Sequence, residues 1–600
     1  MIAGRTMQYY NVVPRACRGS IDVSTVKGAF VQKFRQLSLV LISLGLLVSV
    51  PRAIVAQSDD SDRLLPSSVE QEIADRFITE SAIRADVEFL SDDLLEGRGP
   101  GTRGDVLAQK YIISQFKLID LHPAAADGGW TQDVPLLGVT TRPPKSIAFR
   151  KSGQLMKLAN HDDYIVTCGT GVADANINDA ELVFVGYGMQ APEYDWDDFK
   201  DVDVRGKVLV CMNNDPAENP DIFAGRTRLY YGRWDYKYAK AAEMGAAGML
   251  IIHTTKSAGY PYQVVQTSWT GEQMALGGKQ TGRALMEGWL TEDAARQVVE
   301  FSGKNLDQLR ADAESRDFRP VSLGTTMSVS MKCRVRERSS ANVLGLLKGS
   351  DPVLSKQWIV FTAHHDHIGM TEARDENTDN IYNGAVDNAS GVGLMLSIAR
   401  AMARLPDSER PKRSILFAAV AAEEQGLLGS EFLARNPPVP AGRLAAVINI
   451  DGINILGPTK DVEVIGRGKS DMDEIVERIA RWQNRLVVSD QFPDRGYYYR
   501  SDQFSLAKIG VPGVYASSGV HVIGKPDGWG KEQIRKWTEE IYHQTSDEYN
   551  EQWNLGGAVQ DAKLLFHVGL QAANQKALPA WNKGDEFEAA RLEALQAAGE

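Results

Sequence analysis

Four short, almost wholly apolar runs between residues 358 and 516 constrain this chain more than any other feature. They are WIVFTA (Trp358 to Ala363), ILFAAVAA (Ile415 to Ala422), AAVINI (Ala445 to Ile450) and VPGVYA (Val511 to Ala516). Runs this short, with no polar alternation, read as strands covered on both faces. A helix-like stretch from about Ser390 to Arg404 separates the first two, and strand-like and helix-like runs alternate from Ser339 onward. That order predicts an α/β fold built on a mostly parallel, doubly covered sheet. Sites in such sheets collect beyond the carboxyl ends of the strands, and the first three runs lead directly into His364, Glu423 and Asp451.

Five polar segments gather the chemistry: TAHHDHIG around His364, GAVDNASG around Asp387, AAEEQG around Glu423 and Glu424, INIDG around Asp451, and YHQTSD around His543. Imidazole and carboxylate donors together suit zinc, cobalt or manganese. A dinuclear site needs one carboxylate able to bridge, terminal ligands on each ion, an open position for water and a nearby base. His364 and Asp366, two residues apart on extended backbone, project to the same side. The histidine can then ligate while the aspartate accepts its other ring proton. His365 points away from that side, and His367 completes a cluster of three histidines within four residues. Adjacent side chains at a strand end diverge, so one of Glu423 and Glu424 can bind metal while the other faces the water. Asp451 ends an apolar run, where a buried carboxylate needs a cation partner.

The first 56 residues stand apart. They contain seven of the 66 basic residues and one of the 78 acidic ones, with Lys27, Lys33 and Arg35 ahead of the apolar stretch Leu37 to Val50. This is the pattern of a secretory signal cleaved after Ala56, giving an exported protein; an uncleaved leader would instead anchor it to a membrane. Removing it takes the net charge from −12 to −18. Such a surface repels polyanions and excludes nucleic acid as a partner. Three cysteines remain, Cys168, Cys211 and Cys333, which is neither a disulfide framework nor a thiolate zinc site.

Residues 57–140 form a helical amino-terminal part of the main domain. Ile83, Val87 and Leu90 recur at helical spacing, and a second periodic stretch runs from Val106 to Phe116. Between them EGRGPGTRG matches GxGxxG by spacing, but it follows a helix-like stretch and contains Pro100, so it reads as a loop. Residues 141–325 are β-rich. LVFVGYG, KVLVC and MLIIH, with the helix-like YKYAKAAEMGAAG before the last, form a smaller α/β module inserted in the main domain. Residues 326–600 form the catalytic domain.

The ordered set H-x-D, D-N-x-S-G, E-E, N-x-D and Y-H-x-x-x-D resembles the secreted co-catalytic zinc aminopeptidases related to aminopeptidase Y and glutamate carboxypeptidase II. The resemblance extends over the EGRGPGTRG region and the inserted module, which looks like a protease-associated domain. It implies two zinc ions, with cobalt or manganese as substitutes. His364 and Asp451 would bind one ion, Glu424 and His543 the other, and Asp387 both. Glu423 would be the general base, Asp366 the partner of His364, and Tyr542 a donor to the tetrahedral oxyanion. Peptide or protein amino termini would be the substrate. A carboxypeptidase or dipeptidase of the same family, and a non-catalytic receptor-like protein on this scaffold, are the alternatives. The single-zinc glutaminyl cyclotransferases lack the full ligand set present here.

Overall fold

Each of the four apolar runs is a strand: Trp358–His364, Ser414–Val420, Leu444–Asn449 and Gly513–Ser518. They are seen in a computed structural model that describes residues 65–600 apart from 221, 278–282 and 372–377. The four lie side by side and parallel, in the order 414–420, 358–364, 444–449, 513–518. The first strand in sequence therefore sits inside the sheet, and the chain leaves it on one side before returning on the other. The switch falls between Trp358–His364 and Leu444–Asn449, the place where open α/β sheets form a crevice. Strand Asp461–Ile465 extends the edge antiparallel to Gly513–Ser518, and Leu486–Ser489 adds to it in parallel.

The absence of polar alternation has its structural cause in two apolar layers. Ile359, Phe361 and Ala363 face one core with Ile415, Phe417 and Ala419, under helices Gly391–Ala403 and Gly556–Asn574. Val360, Leu416, Ala418 and Val420 face the other, with Leu433 and Leu506. The amino-terminal helices join the first layer. Ser68–Phe77 starts on a capping box in which Ser67 and Glu70 each satisfy the other's backbone N–H, removing two of the orphan donors of a helix start. Glu80–Leu90 puts Ile83, Val87 and Leu90, all fully buried, against the same core. EGRGPGTRG is a 3₁₀ turn, Asp93–Arg98, followed by a loop into helix Arg103–Leu118.

In the middle of the chain, Val208–Met212, Gly248–His253 and Met286–Thr291 are parallel neighbours, with helix Trp234–Glu243 between the first two in sequence. Residues near 140 and 325 lie within two long strands, Thr131–Arg142 and Val321–Leu347, which pair antiparallel from Thr131↔Val343 to Arg142↔Lys332. The far end of Val321–Leu347 continues along Ser414–Val420, so one sheet runs through both regions. The expected leader, residues 1–56, lies outside the described residues. Among the described residues no helix is long and apolar enough to cross a membrane.

Asn342, fully buried on the long strand, ties this sheet to the loop carrying Glu423 and Glu424. Its amide donates to Gln132 Oε1 and to the Gly429 carbonyl, both at 2.9 Å, and its oxygen accepts the Ala421 N–H at 2.9 Å. Asn342→Ala leaves the Ala421 N–H unpaired. Stability should fall by roughly 1–3 kcal/mol, the cost of one buried group left unsatisfied. Urea unfolding checks it.

Candidate metal centre

The polar residues that close the apolar strands converge beyond their carboxyl ends. His364 is the last residue of its strand and is buried; Asp451 follows the neighbouring strand. His364 Nε2 lies 3.2 Å from Asp387 Oδ1 and 3.4 Å from Asp451 Oδ1. On the other side, His543 Nε2 lies 3.2 Å from Asp387 Oδ2 and 3.1 Å from Glu424 Oε2. Asp387 thus offers one oxygen to each histidine. Donors ~2.0–2.1 Å from a tetrahedral zinc are about 3.3 Å from one another, so these separations fit the edges of two such polyhedra sharing Asp387. His364 Nε2 is buried and, among the described residues, has no well-aligned hydrogen-bond partner, a condition a cation would relieve. The donor set fits divalent metal.

The carboxylates repel one another strongly. Burial raises Glu423 well above the usual carboxylate range, and Glu424, Asp451 and Asp502 push it further while His364 opposes them. Burial alone would lower His364, but Glu423, Asp387 and Asp451 outweigh it and hold the imidazole well above its ordinary range. His543 is raised in the same way by Glu424 and Asp387 against burial. These directions describe a pocket whose negative charge exceeds its own cations.

All eight residues singled out in the sequence gather here. Glu423 Oε2 stands 4.0 Å from His364 Nε2, and Ala422, with φ 53°, turns the backbone so that Glu423 and Glu424 diverge. Asp366 lies beside His364, but its carboxylate is 3.8 Å from Nδ1; its own carbonyl oxygen is nearer, at 3.3 Å. The Asp366 carboxylate instead accepts the Glu423 N–H at 3.1 Å. The Tyr542 ring stacks on His543 with centroids 3.8 Å apart. Burial and nearby carboxylates, Asp387 first, push its hydroxyl well above its usual range, so it stays a donor. His365 does turn away: its Nε2 meets Asp105 Oδ1 at 3.0 Å.

Other residues at the site were less legible in the sequence. His367 joins Asp387 and Glu424 in a second potential ligand group. Its Nδ1 is 2.6 Å from Glu424 Oε1, tighter than a zinc-polyhedron edge, so it sits against that carboxylate rather than across an ion from it. Ser501 donates to Asp451 Oδ2 and accepts from Asn449, both at 2.6 Å. Asp547 accepts the N–H groups of Val386 and Asp387 at 3.0 Å each and so fixes the bridging loop. Its signal was the fixed place of the aspartate in Y-H-x-x-x-D; Ser501 carried none beyond lying beside Asp502.

The chain shows local likeness to known peptidases. It is 34% identical over 135 residues to Aminopeptidase NAALADL1 of Mus musculus, covering 21% of this chain and 16% of that protein. It is 48% identical over 68 residues to a probable zinc metalloprotease of Pyrenophora tritici-repentis, covering 11% and 15% respectively. The matched stretches thus span about a sixth of these curated relatives. Among solved structures, an aminopeptidase from Aneurinibacillus sp. strain AM-1 aligns over 85% of this chain and 97% of its own, with 20% identity and a TM-score of 0.48. Residues 342–566, which carry all eight candidate site residues, match Peptidase family M28, and the segment that builds the centre is a relative of that family.

Proposed function

We propose that this protein is a zinc-dependent exopeptidase that removes amino-terminal residues from peptides, with two zinc ions held by His364, Asp387, Glu424, Asp451 and His543. The observation that carries this reading is the position of Asp387, each oxygen 3.2 Å from a different histidine Nε2. The family match of residues 342–566 and the aminopeptidase and metalloprotease names of the relatives support it.

Zinc bound there would supply an acidified water and polarise the scissile carbonyl. Glu423 takes the proton of the attacking water and delivers it to the leaving amine; its raised affinity for a proton suits both halves of that transfer. The Tyr542 hydroxyl donates to the carbonyl oxygen as negative charge develops on it. Asp387 and Glu424 hold their positions through Asp547 and the flanking histidines.

Glu423→Gln should retain both ions, because Glu423 is not among the ligands, and lose at least ~10²-fold in turnover, the low end for a positioned general base. Metal analysis with steady-state kinetics checks both halves. Near-normal turnover would refute the role of Glu423.

A second reading, carboxypeptidase or dipeptidase, has one observation in its favour. The half-buried Arg500 guanidinium lies within electrostatic reach of Tyr542 and Glu423, where it would suit a substrate carboxylate. Hydrolysis of a leucine anilide separates the readings. The aminopeptidase reading expects activity in residues 57–600 that is abolished by a chelator, restored by zinc and lost when the substrate amine is blocked. Activity only on substrates with a free carboxylate favours the second reading. Failure to bind zinc at all favours the receptor-like alternative.

A further inference from the structure

The loop EGRGPGTRG contributes no metal ligand, yet it grips both loops that do. Arg98, at its centre, is 1% exposed. Its Nε donates to the His365 carbonyl at 2.8 Å, Nη1 to the Leu90 and Asn383 carbonyls at 2.5 and 2.6 Å, and Nη2 to the Gly384 carbonyl at 2.9 Å. The Arg98 carbonyl accepts the His367 N–H in return, at 3.4 Å. One side chain thus joins the end of helix Glu80–Leu90, the His364–His367 segment and the approach to Asp387.

The local backbone is shaped for this. Glu96, Gly97 and Arg98 all have φ between 50° and 64°. A Cβ on Gly97 would lie 2.5 Å from the carbonyl oxygens of both Gly369 and Tyr382, so no other residue lets the loop come this close. A Cβ on Gly384 would lie 2.4 Å from the His367 ring, which leaves the carbonyl accepted by Arg98 hard against a side chain of the site. Seven residues on, Asp105 holds His365 from the other side. Arg98 in the loop and Asp105 in the helix that follows it therefore act on the same histidine-rich segment.

Among the described residues Arg98 makes no ion pair with a carboxylate, and its four side-chain bonds go to carbonyl oxygens. Burial lowers its guanidinium to about 10, so it stays charged at neutral pH, and Asp366, Asp547, Asp387 and Glu424 lie within reach of that charge. Arginine suits the task because its donors form a rigid planar fork, whereas lysine presents a point charge with three donors.

We propose that Arg98 is a positioning residue for the metal centre, locking the His364–His367 segment and the Asp387 loop into one cradle before any ion binds. The inference rests on the two-zinc reading only for what the cradle receives. Outer residues that orient metal ligands typically alter affinity on the order of 10–100-fold when removed.

The test uses the full chain stripped of metal. Hydrogen exchange should find residues 364–367 and 383–388 protected without zinc, and chelator competition should give Arg98→Met a zinc affinity about 10–100-fold weaker than the parent. Arg98→Lys, with charge but not the fork, should regain only part of it. The readout is affinity and protection at unchanged helix content by circular dichroism, which a general loss of packing would not leave intact. Rapid exchange of the two segments in the metal-free parent would overturn the proposal, even if Arg98→Met does not fold. So would parental zinc affinity in a folded Arg98→Met. If the parent takes up no zinc while Arg98→Met loses protection of both segments, the two-zinc reading fails and the cradle stands.

Discussion

Seven carboxylates, those of Asp366, Asp387, Glu423, Glu424, Asp451, Asp502 and Asp547, converge around the ends of three parallel strands, and the fold is organised around their repulsion. Burying one carboxylate without a partner is expensive, and burying several together is more so. Relief comes from three sources on the chain. Two histidines share Asp387. Backbone N–H groups feed Asp547 and Asp366. Arg98 supplies a buried cation through a web of carbonyls rather than a direct pair. The remaining excess of negative charge is what makes divalent metal fit the pocket.

The sheet supplies the rigidity this concentration of charge requires. His364 and Asp451 reach each other because their strands are neighbours at the point where the chain order reverses. A slip of either strand by one residue would exchange the side chains of the two cores and carry His364 or Asp451 away from the other. Glu423 and Glu424 are fixed less by the strand before them than by Asn342, which reaches across from the long strand to pin both ends of their loop. Precision at the centre therefore depends on residues far away in sequence.

The sequence made the parallel strands legible because unbroken apolar runs have few other uses at that length, and the observed bounds differ from the runs by no more than about two residues. His364, Glu423 and Asp451 were legible for a related reason, because a charge at the end of an apolar strand has to be compensated; the full set of eight, Tyr542 included, came from the resemblance of the ordered motifs. What stayed hidden depended on geometry that spacing does not encode. EGRGPGTRG read correctly as a loop, but nothing in it says that Arg98 ends up beneath His365 and Gly384. The Asp366 carboxylate stands 3.8 Å from the His364 ring and also accepts the Glu423 N–H, a second partner that spacing did not announce. That contact depends on the turn at Ala422, which no alternation pattern reveals.

The adjacent pair Glu423–Glu424 shows how environment divides labour between two identical side chains. Burial acts on both in the same direction. Around Glu424, however, His543 and His367 outweigh it and hold the carboxyl at about 2, so it is an anion under any ordinary condition and suited to hold a cation. Around Glu423, His364 is the main opposition to burial and to three carboxylates, so it gains a proton readily. Two carboxyl groups driven apart in this way are suited to different tasks, one to holding a cation and one to carrying a proton. The two side chains meet different partners: Glu424 Oε2 lies 3.1 Å from His543 Nε2, whereas Glu423 Oε2 stands 4.0 Å from His364 Nε2 on the other side of Asp387.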